Sequence, residues 1–243
     1  MVVKIKGNLE GKRVENIGSH NLKRNIYKGL DQVRIGERVL GPQDIFKRNI
    51  DDPDALIEGA SVCILGLGGL GSNIGVYLAR SGIGRLVLVD FDQVEASNLN
   101  RQYYSLGHIG MKKTQALVEV IRSINPFIDL ETIDTKINRD NIMDIVKGQQ
   151  IICEALDDPT TKSMVVSEVL ANSDDKLVVA ASGMAGLGDA NLIRTQKKLS
   201  RLYICGDERS DFNHTPGMMA PRVSICAGHQ ANIILRLLMG LEG

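Results

Sequence analysis

The sequence predicts an α/β fold: a doubly wound, Rossmann-like, mainly parallel sheet with an antiparallel edge near the C-terminus. Three observations lead there. Apolar strand-type runs alternate with helix-type segments from residue 61 onward, the order that gives parallel strands with helices on both faces. Residues 61–92 spell strand, glycine turn, helix, strand and acid. Two short strand-type runs, 190–195 and 202–205, then precede a long apolar segment, 220–241.

The stretch 61–92 organises the rest. Residues 61–65 are apolar and β-prone, and Gly66, Gly68 and Gly71 follow with the spacing G-x-G-x-x-G. In a nucleotide site the first glycine permits the tight turn and the second lets backbone N–H groups approach phosphate. The third lets helix pack closely on strand. The helix start at 72–80 offers N–H donors and about half a positive charge to an anion. A second apolar run, 86–89, ends on Asp90, 19 residues past Gly71, where a carboxylate can accept ribose hydroxyls. A turn that only lets helix and sheet pack is the competing reading. The flanking strands and the acid favour a nucleotide, whose kind the turn alone leaves open.

Composition is that of a globular chain. It has 243 residues, 43% hydrophobic, with zero formal net charge. The length suits one large α/β domain, or one domain plus a small extension. The charge total points to neither nucleic acid nor a membrane surface. Residues 1–50 nevertheless carry eleven Lys/Arg against five Asp/Glu, a solvated face or an arm for phosphate or a partner. The four cysteines, Cys63, Cys153, Cys205 and Cys226, form no CxxC pair, so no four-cysteine zinc is expected. With no secretory signal and no apolar run of membrane length, a reducing cytoplasm is the expected compartment.

Taken in order, residues 1–55 read as an N-terminal extension and 56–243 as the nucleotide-binding domain. Within the extension, VVKIK and KRVENI flank a GNLEG turn, residues 21–28 suggest a helical turn, and DDPD at 51–54 suggests a break or cap. After Asp92, the polar Asn98, Asn100, Arg101 and Gln102 crowd the end of a strand, where open sheets bind ligands. Arg101 can fork onto phosphate, and Lys113 adds a mobile charge. A helix is expected over 112–123, a strand over 128–137, a helix over 139–147 and a strand over 150–156. That last strand runs into Asp157 and Asp158. One acid there suits Mg²⁺ shared with phosphates. The other suits the N-cap of a helix from Pro159; Asp158 is expected to cap and Asp157 to face the ligand. A helix over 159–172, a strand over 177–181 and a polar loop over 206–216 complete the pattern.

These motifs together resemble the ThiF/MoeB/HesA family of ubiquitin-activating-type adenylating enzymes. The resemblance rests on GLGGLGS at 66–72, VDFD at 89–92, SNLNRQ at 97–102, IGMKK ending at Lys113, and the acid of ALDD at Asp157. It covers about residues 58–240. ICGD at 204–207, GMMAPRV at 217–223 and HQAN at 229–232 look like the short, zinc-free ThiF subgroup of thiamine biosynthesis.

The resemblance implies an adenylyltransferase that binds ATP and Mg²⁺. Its partner would be a ubiquitin-like sulfur-carrier protein ending in Gly-Gly, whose carboxylate it converts to an acyl-adenylate. On this chain, Gly66, Gly68, Gly69, Leu70 and Gly71 would hold phosphate, and Asp90, with Asp92 beside it, ribose. Asn98, Arg101, Gln102 and Lys113 would line the triphosphate, and Asp157 would position the metal. Arg101, Lys113 and Asp157 are the expected catalytic groups. A homodimer is implied, with an arginine from residues 1–50 (Arg24, Arg34, Arg38 or Arg48) reaching a neighbour's ATP.

The stretch where some relatives place a sulfur-transfer cysteine in a crossover loop reads DFNHTPG, with His214 and no cysteine. Cys205 is then the remaining candidate, against a plain structural thiol. Other readings on the same fold are activation of a molybdopterin-type carrier or of a carboxylate on modified tRNA, and a scaffold without catalysis. A nicotinamide-dependent dehydrogenase would leave SNLNRQ, Lys113 and Asp157 without a role.

Overall fold

The computed structural model describes residues 13–17 (backbone), 22–49, 57, 59–210 and 217–241. The VVKIK run and its GNLEG turn, the DDPD break and the DFNHTP stretch with His214 lie outside the described residues, while residues 13–17 of KRVENI form a strand. Eleven strands are described: β1 (Arg13–Ile17), β2 (Leu22–Tyr27), β3 (Val33–Ile35), β4 (Arg38–Leu40), β5 (Ser61–Leu65), β6 (Arg85–Asp90), β7 (Asp129–Asp134), β8 (Ile151–Glu154), β9 (Leu177–Ala181), β10 (Arg194–Leu199) and β11 (Leu202–Gly206). The helices are α1 (Pro42–Phe46), α2 (Gly69–Arg80), α3 (Lys113–Ile124), α4 (Ile142–Ile145), α5 (Pro159–Ala171) and α6 (Ala220–Leu238).

The main sheet runs β1-β2-β7-β6-β5-β8-β9-β11-β10. From β7 to β11 all neighbours are parallel. The chain winds outward from β5 through β6 to β7, then returns to β8 on β5's other side and winds through β9 to β11. The order therefore reverses between β5 and β8, where open α/β sheets bind ligands. Alternate residues of each central strand feed two cores. Val62, Ile64, Leu86, Leu88 and Cys153 pack under α2, α3 and α6 with Leu78, Leu117, Ile121 and Ile234. Cys63, Leu65, Val87, Val89 and Ile152 pack with Ile142, Ile145, Val165 and Val169 of α4 and α5. Burial on both faces explains why these strands read as unbroken apolar runs.

Three sequence expectations need correction. Residues 21–28, read as a helical turn, hold strand β2, antiparallel to β7. Its buried positions alternate through Leu22 and Arg24, so pairing along β7 overrides a weak local preference. The extension therefore adds two strands to the sheet, and a separate β3–β4 hairpin turns at Gly36, where φ is +63°. The helix expected over 139–147 shrinks to α4. Asn138 Oδ1 accepts from the N–H of Asp140 (2.9 Å) and Asn141 (3.1 Å), and Asn141 Oδ1 from Asn138 N–H at 2.9 Å. These paired side-chain bonds hold residues 138–141 in a turn. The strand expected at 190–195 begins later, as β10, after a 3₁₀ turn at Ala190–Leu192 capped by Asp189.

β2 is anchored by charge. Glu131 of β7, 2% exposed, pairs with both Arg24 and Arg85. Arg24 also donates to the carbonyls of Asp144 (2.6 Å) and Ile145 (3.3 Å) at the end of α4. At the far edge, β10 is antiparallel to β11 and leaves Arg194, Gln196, Lys197 and Lys198 exposed. Among the described residues no helix is long and apolar enough to cross a membrane.

Candidate active site

The site is built on the turn after β5. Gly66 has φ +89° and donates its N–H to Val89 O at 2.9 Å. A methyl group there would stand 2.8 Å from Ala155 O, and one on Gly71 only 1.8 Å from Gly66 O. Side chains are thus excluded at both positions. Gly68 is the N-cap of α2 and brings no capping side chain, so the first N–H groups of a twelve-residue helix are left for an anion. Gly69 and Leu70 form its first turn.

Asp90 ends β6 beside this turn and is 8% exposed. It accepts the N–H of Leu67 (2.6 Å) through one oxygen and that of Asp92 (2.8 Å) through the other. Burial raises its pKa, opposed by Lys113 and these two bonds. Each oxygen keeps a lone pair for a ribose hydroxyl. Asp92 holds Lys113 Nζ at 2.8 Å, and Lys113 is itself buried.

The SNLNRQ segment is tied to α2 by residues the sequence reading did not single out. Asn73 Nδ2 donates to Gly69 O (2.7 Å) and Arg101 O (3.0 Å). Ser72 Oγ donates to Gly68 O (2.7 Å) and accepts from Tyr103 N–H (3.0 Å). Tyr104 OH donates to Leu67 O at 2.9 Å. A methyl on Gly69 would meet Arg101 Cγ at 3.5 Å, so the arginine stem lies against the first turn of α2. Its guanidinium, partly exposed, rests on Asn100 Oδ1 at 2.8 Å. Gln102 is buried beside Gly68, its Oε1 without a hydrogen-bond partner among the described residues. Asn98 Oδ1 accepts from Glu95 N–H at 3.0 Å and caps a local turn.

Gly66, Asp90, Phe91, Thr135, Lys136 and Asp157 line one cleft at the switch point. Asp158, on the same rim, caps α5 by accepting from Thr161 N–H (2.7 Å) and Thr161 Oγ1 (2.6 Å), as the two adjacent acids suggested. Phe91 is 47% exposed with Lys136 Nζ 5.7 Å from its ring centroid. Lys136 was not legible in advance, since the loop after β7 carries no motif; Phe91 lay within VDFD but had no role assigned.

Two further expectations meet the geometry. Arg24 is committed to Glu131 inside the fold, which removes it from the arginines able to reach a neighbour; Arg34, Arg38 and Arg48 are exposed. Cys205 is fully buried at the end of β11, and burial pushes its thiol up to about 11. A thiol so placed carries almost no thiolate at neutral pH, which favours the plain structural thiol of the two readings.

The ThiF family model matches residues 46–243, and the chain belongs to that family. It is 30% identical over 198 residues to the adenylyltransferase and sulfurtransferase UBA4 of Saccharomyces cerevisiae, a match covering 76% of this chain and 43% of that protein. It is 34% identical over 135 residues to the tRNA threonylcarbamoyladenosine dehydratase of Haemophilus influenzae, covering 54% and 52% respectively. The chain thus spans about half, or less, of the curated relatives it matches. The Escherichia coli tRNA N6-threonylcarbamoyladenosine dehydratase TcdA, solved in complex with ATP, has the same fold. Its TM-score is 0.71 at 21% identity, covering 83% of this chain and 95% of that one.

Proposed function

We propose that this chain is an ATP-dependent adenylyltransferase acting on the C-terminal Gly-Gly carboxylate of a ubiquitin-like sulfur carrier. One observation carries the reading. Asp90 and Asp157 line one cleft with Gly66 where strand order reverses; the uncapped start of α2, with the Arg101 stem packed on it, follows that glycine turn, and Lys113 lies beside Asp90. The reaction needs that inventory. A carboxylate approaching a triphosphate is anion against anion, so cations and fixed N–H dipoles matter more than a general base.

In the proposed step a carrier carboxylate oxygen attacks the α-phosphorus of ATP. The bond from that phosphorus to the bridging oxygen breaks, and pyrophosphate leaves with the electron pair. Arg101 and Lys113 offset the charge building on the phosphates, the α2 N–H groups hold them, and Asp90 fixes the ribose. Asp157 would offer oxygen donors to a Mg²⁺, and that ion would supply further charge neutralisation. That fits the donor set: among the described residues no cluster of three or more His, Cys, Asp or Glu could hold a metal alone, and Mg²⁺ at such sites takes only one or two carboxylates.

The ICGD, GMMAPRV and HQAN motifs support a carrier of thiamine thiazole synthesis, and the UBA4 relationship supports a sulfur carrier without choosing its pathway. A homodimer belongs to the same proposal. A second reading, activation of a carboxylate on modified tRNA, is favoured by the Haemophilus influenzae match.

ATP–pyrophosphate exchange with Mg²⁺ separates these. Exchange that requires a Gly-Gly carrier supports the proposal, and the most active of a thiamine- and molybdopterin-type panel identifies the pathway. Exchange that appears with modified tRNA alone transfers it to the second reading, and no ATP binding overturns both. Arg101→Ala and Asp157→Ala are each expected to lower carrier-dependent exchange by about 10²–10³-fold, the scale of losing one preorganised charge contact, with unchanged thermal unfolding.

A further inference from the structure

Behind Asp157 lies a charge pair that no sequence motif announced. Glu154, the last residue of β8, is 0% exposed. Lys162, in the first turn of α5, donates to both its oxygens at 2.9 and 2.8 Å and to Leu156 O at 3.0 Å. Leu156 N–H returns to Glu154 Oε1 at 2.7 Å. The strand end below is held as well: Gln230 Nε2 of α6 donates to Glu154 O at 3.0 Å, and Ala155 N–H to Leu65 O at 2.9 Å. These bonds close residues 154–162 into a ring that is tied at 154, 156 and 162, while the Asp158 cap fixes its helical end. Asp157 and Asp158 are both exposed and line the cleft; Asp158 is held as the α5 cap, which leaves Asp157 as the acid with no hydrogen bond to the helix.

A buried carboxylate is costly and is retained only where it is paired and hydrogen-bonded. For stability alone an apolar pair of the same volume would serve as well or better. What the charged ring adds is direction. Lys162 addresses three acceptors on one turn, leaving that turn a single backbone path and Asp157 a single bearing.

We propose that Glu154 and Lys162 are positioning residues that aim the Asp157 carboxylate at the metal-bearing phosphates of the bound nucleotide. This rests on the reading of Asp157 given above. It assigns a role to two residues outside the cleft, acting through the turn and touching no substrate. Groups hydrogen-bonded directly to a metal ligand change metal affinity by about 10–100-fold when removed; Glu154 and Lys162 act one residue further back, through Leu156, so the lower end of that scale is expected.

The test is ATP affinity of the full chain, measured by calorimetry with and without Mg²⁺, for wild type and for Asp157→Asn, Glu154→Gln, Lys162→Met, Lys162→Arg and the Glu154→Gln/Lys162→Met double variant. Unfolding without nucleotide is followed in parallel. Lys162→Met and Glu154→Gln are expected to weaken MgATP binding about tenfold while metal-free ATP binding stays within twofold. Lys162→Arg should restore part of the Mg²⁺ effect, because its donors can still span the turn. The unfolding midpoint falls for Lys162→Met under either role; a purely structural pair would leave the Mg²⁺ dependence unchanged. That result, with Asp157→Asn still defective, overturns this inference alone. An Asp157→Asn protein with full Mg²⁺ dependence overturns the role of Asp157 and this inference together. If Lys162→Met does not fold, the double variant, which leaves no unpaired charge, gives the same readout.

Discussion

At the end of β5 the chain turns through residues with almost no side chains; at the end of β8, in direct contact with it, the chain turns around a buried carboxylate. The first turn works by absence. Gly66 and Gly71 leave room for backbone to meet backbone, and Gly68 leaves the start of α2 uncapped. The second works by over-specification, with Glu154, Lys162 and Asp158 each making several bonds. An anion is met by N–H dipoles that are rigid because the helix makes them so. A side chain that must point at a metal has no such scaffold and needs one built from its neighbours. The turns touch where Gly66 faces Ala155 O, so they set each other's spacing.

The comparison can be broken from either side. Gly71→Ala should do most harm, because its methyl would stand 1.8 Å from Gly66 O. A loss of about 3 kcal/mol in denaturant unfolding is expected from overpacking, together with loss of ATP binding. Lys162→Met should cost somewhat less, on the order of 2–3 kcal/mol, since it strands a buried carboxylate but its own position is partly solvated. Adding Glu154→Gln should recover most of that loss, which a double-mutant cycle measures. Recovery is not expected for the glycine turn by any second substitution.

A third strand end sharpens the contrast. Asp207, just after β11, accepts from the N–H of Arg209 (2.9 Å) and Ser210 (2.8 Å), from Ser210 Oγ (2.8 Å) and from Arg222 Nη2 (2.6 Å). Burial pushes its carboxyl up, but these bonds outweigh it and hold the pKa at about 2, below its ordinary 3.8. The folded value is the lower one. The stabilisation is therefore present above about pH 4 and is lost as pH falls towards 2. After allowance for solvent screening it is about 1 kcal/mol. Thermal midpoints between pH 5 and 2 should fall more steeply for wild type than for Asp207→Asn. Smallest of all, Cys205→Ser, one strand position behind a loaded turn but engaged in no chemistry, should leave carrier-dependent exchange within about twofold.

What could be read in advance follows the same division. β5 and β9 appear at the residues expected, 61–65 and 177–181, because strands buried on both faces need uninterrupted apolar runs. The glycine turn, the Asp158 cap and the cleft position of Asp157 were legible from spacing, since each satisfies a local rule. β2 was not: its hydrogen bonds go to β7, about a hundred residues away. Nor were Asn73, Ser72 and Tyr104, which join α2 to the arginine loop through single bonds without period or motif. Glu154 had a faint signal, an acid inside an apolar run. Its partner Lys162, eight residues on, carried no signal of its own.

The outer strand β10 has a consequence for behaviour at high concentration. A terminal strand offers a row of unpaired donors and acceptors onto which another polypeptide can zip. Here that row carries Arg194, Lys197 and Lys198, exposed and closely spaced. A second molecule laying its own β10 alongside would bring those cations face to face, a repulsion that grows as ionic strength falls. Molecules of this chain should therefore be kept from growing sheet-to-sheet ribbons along that margin, and most securely in dilute buffer.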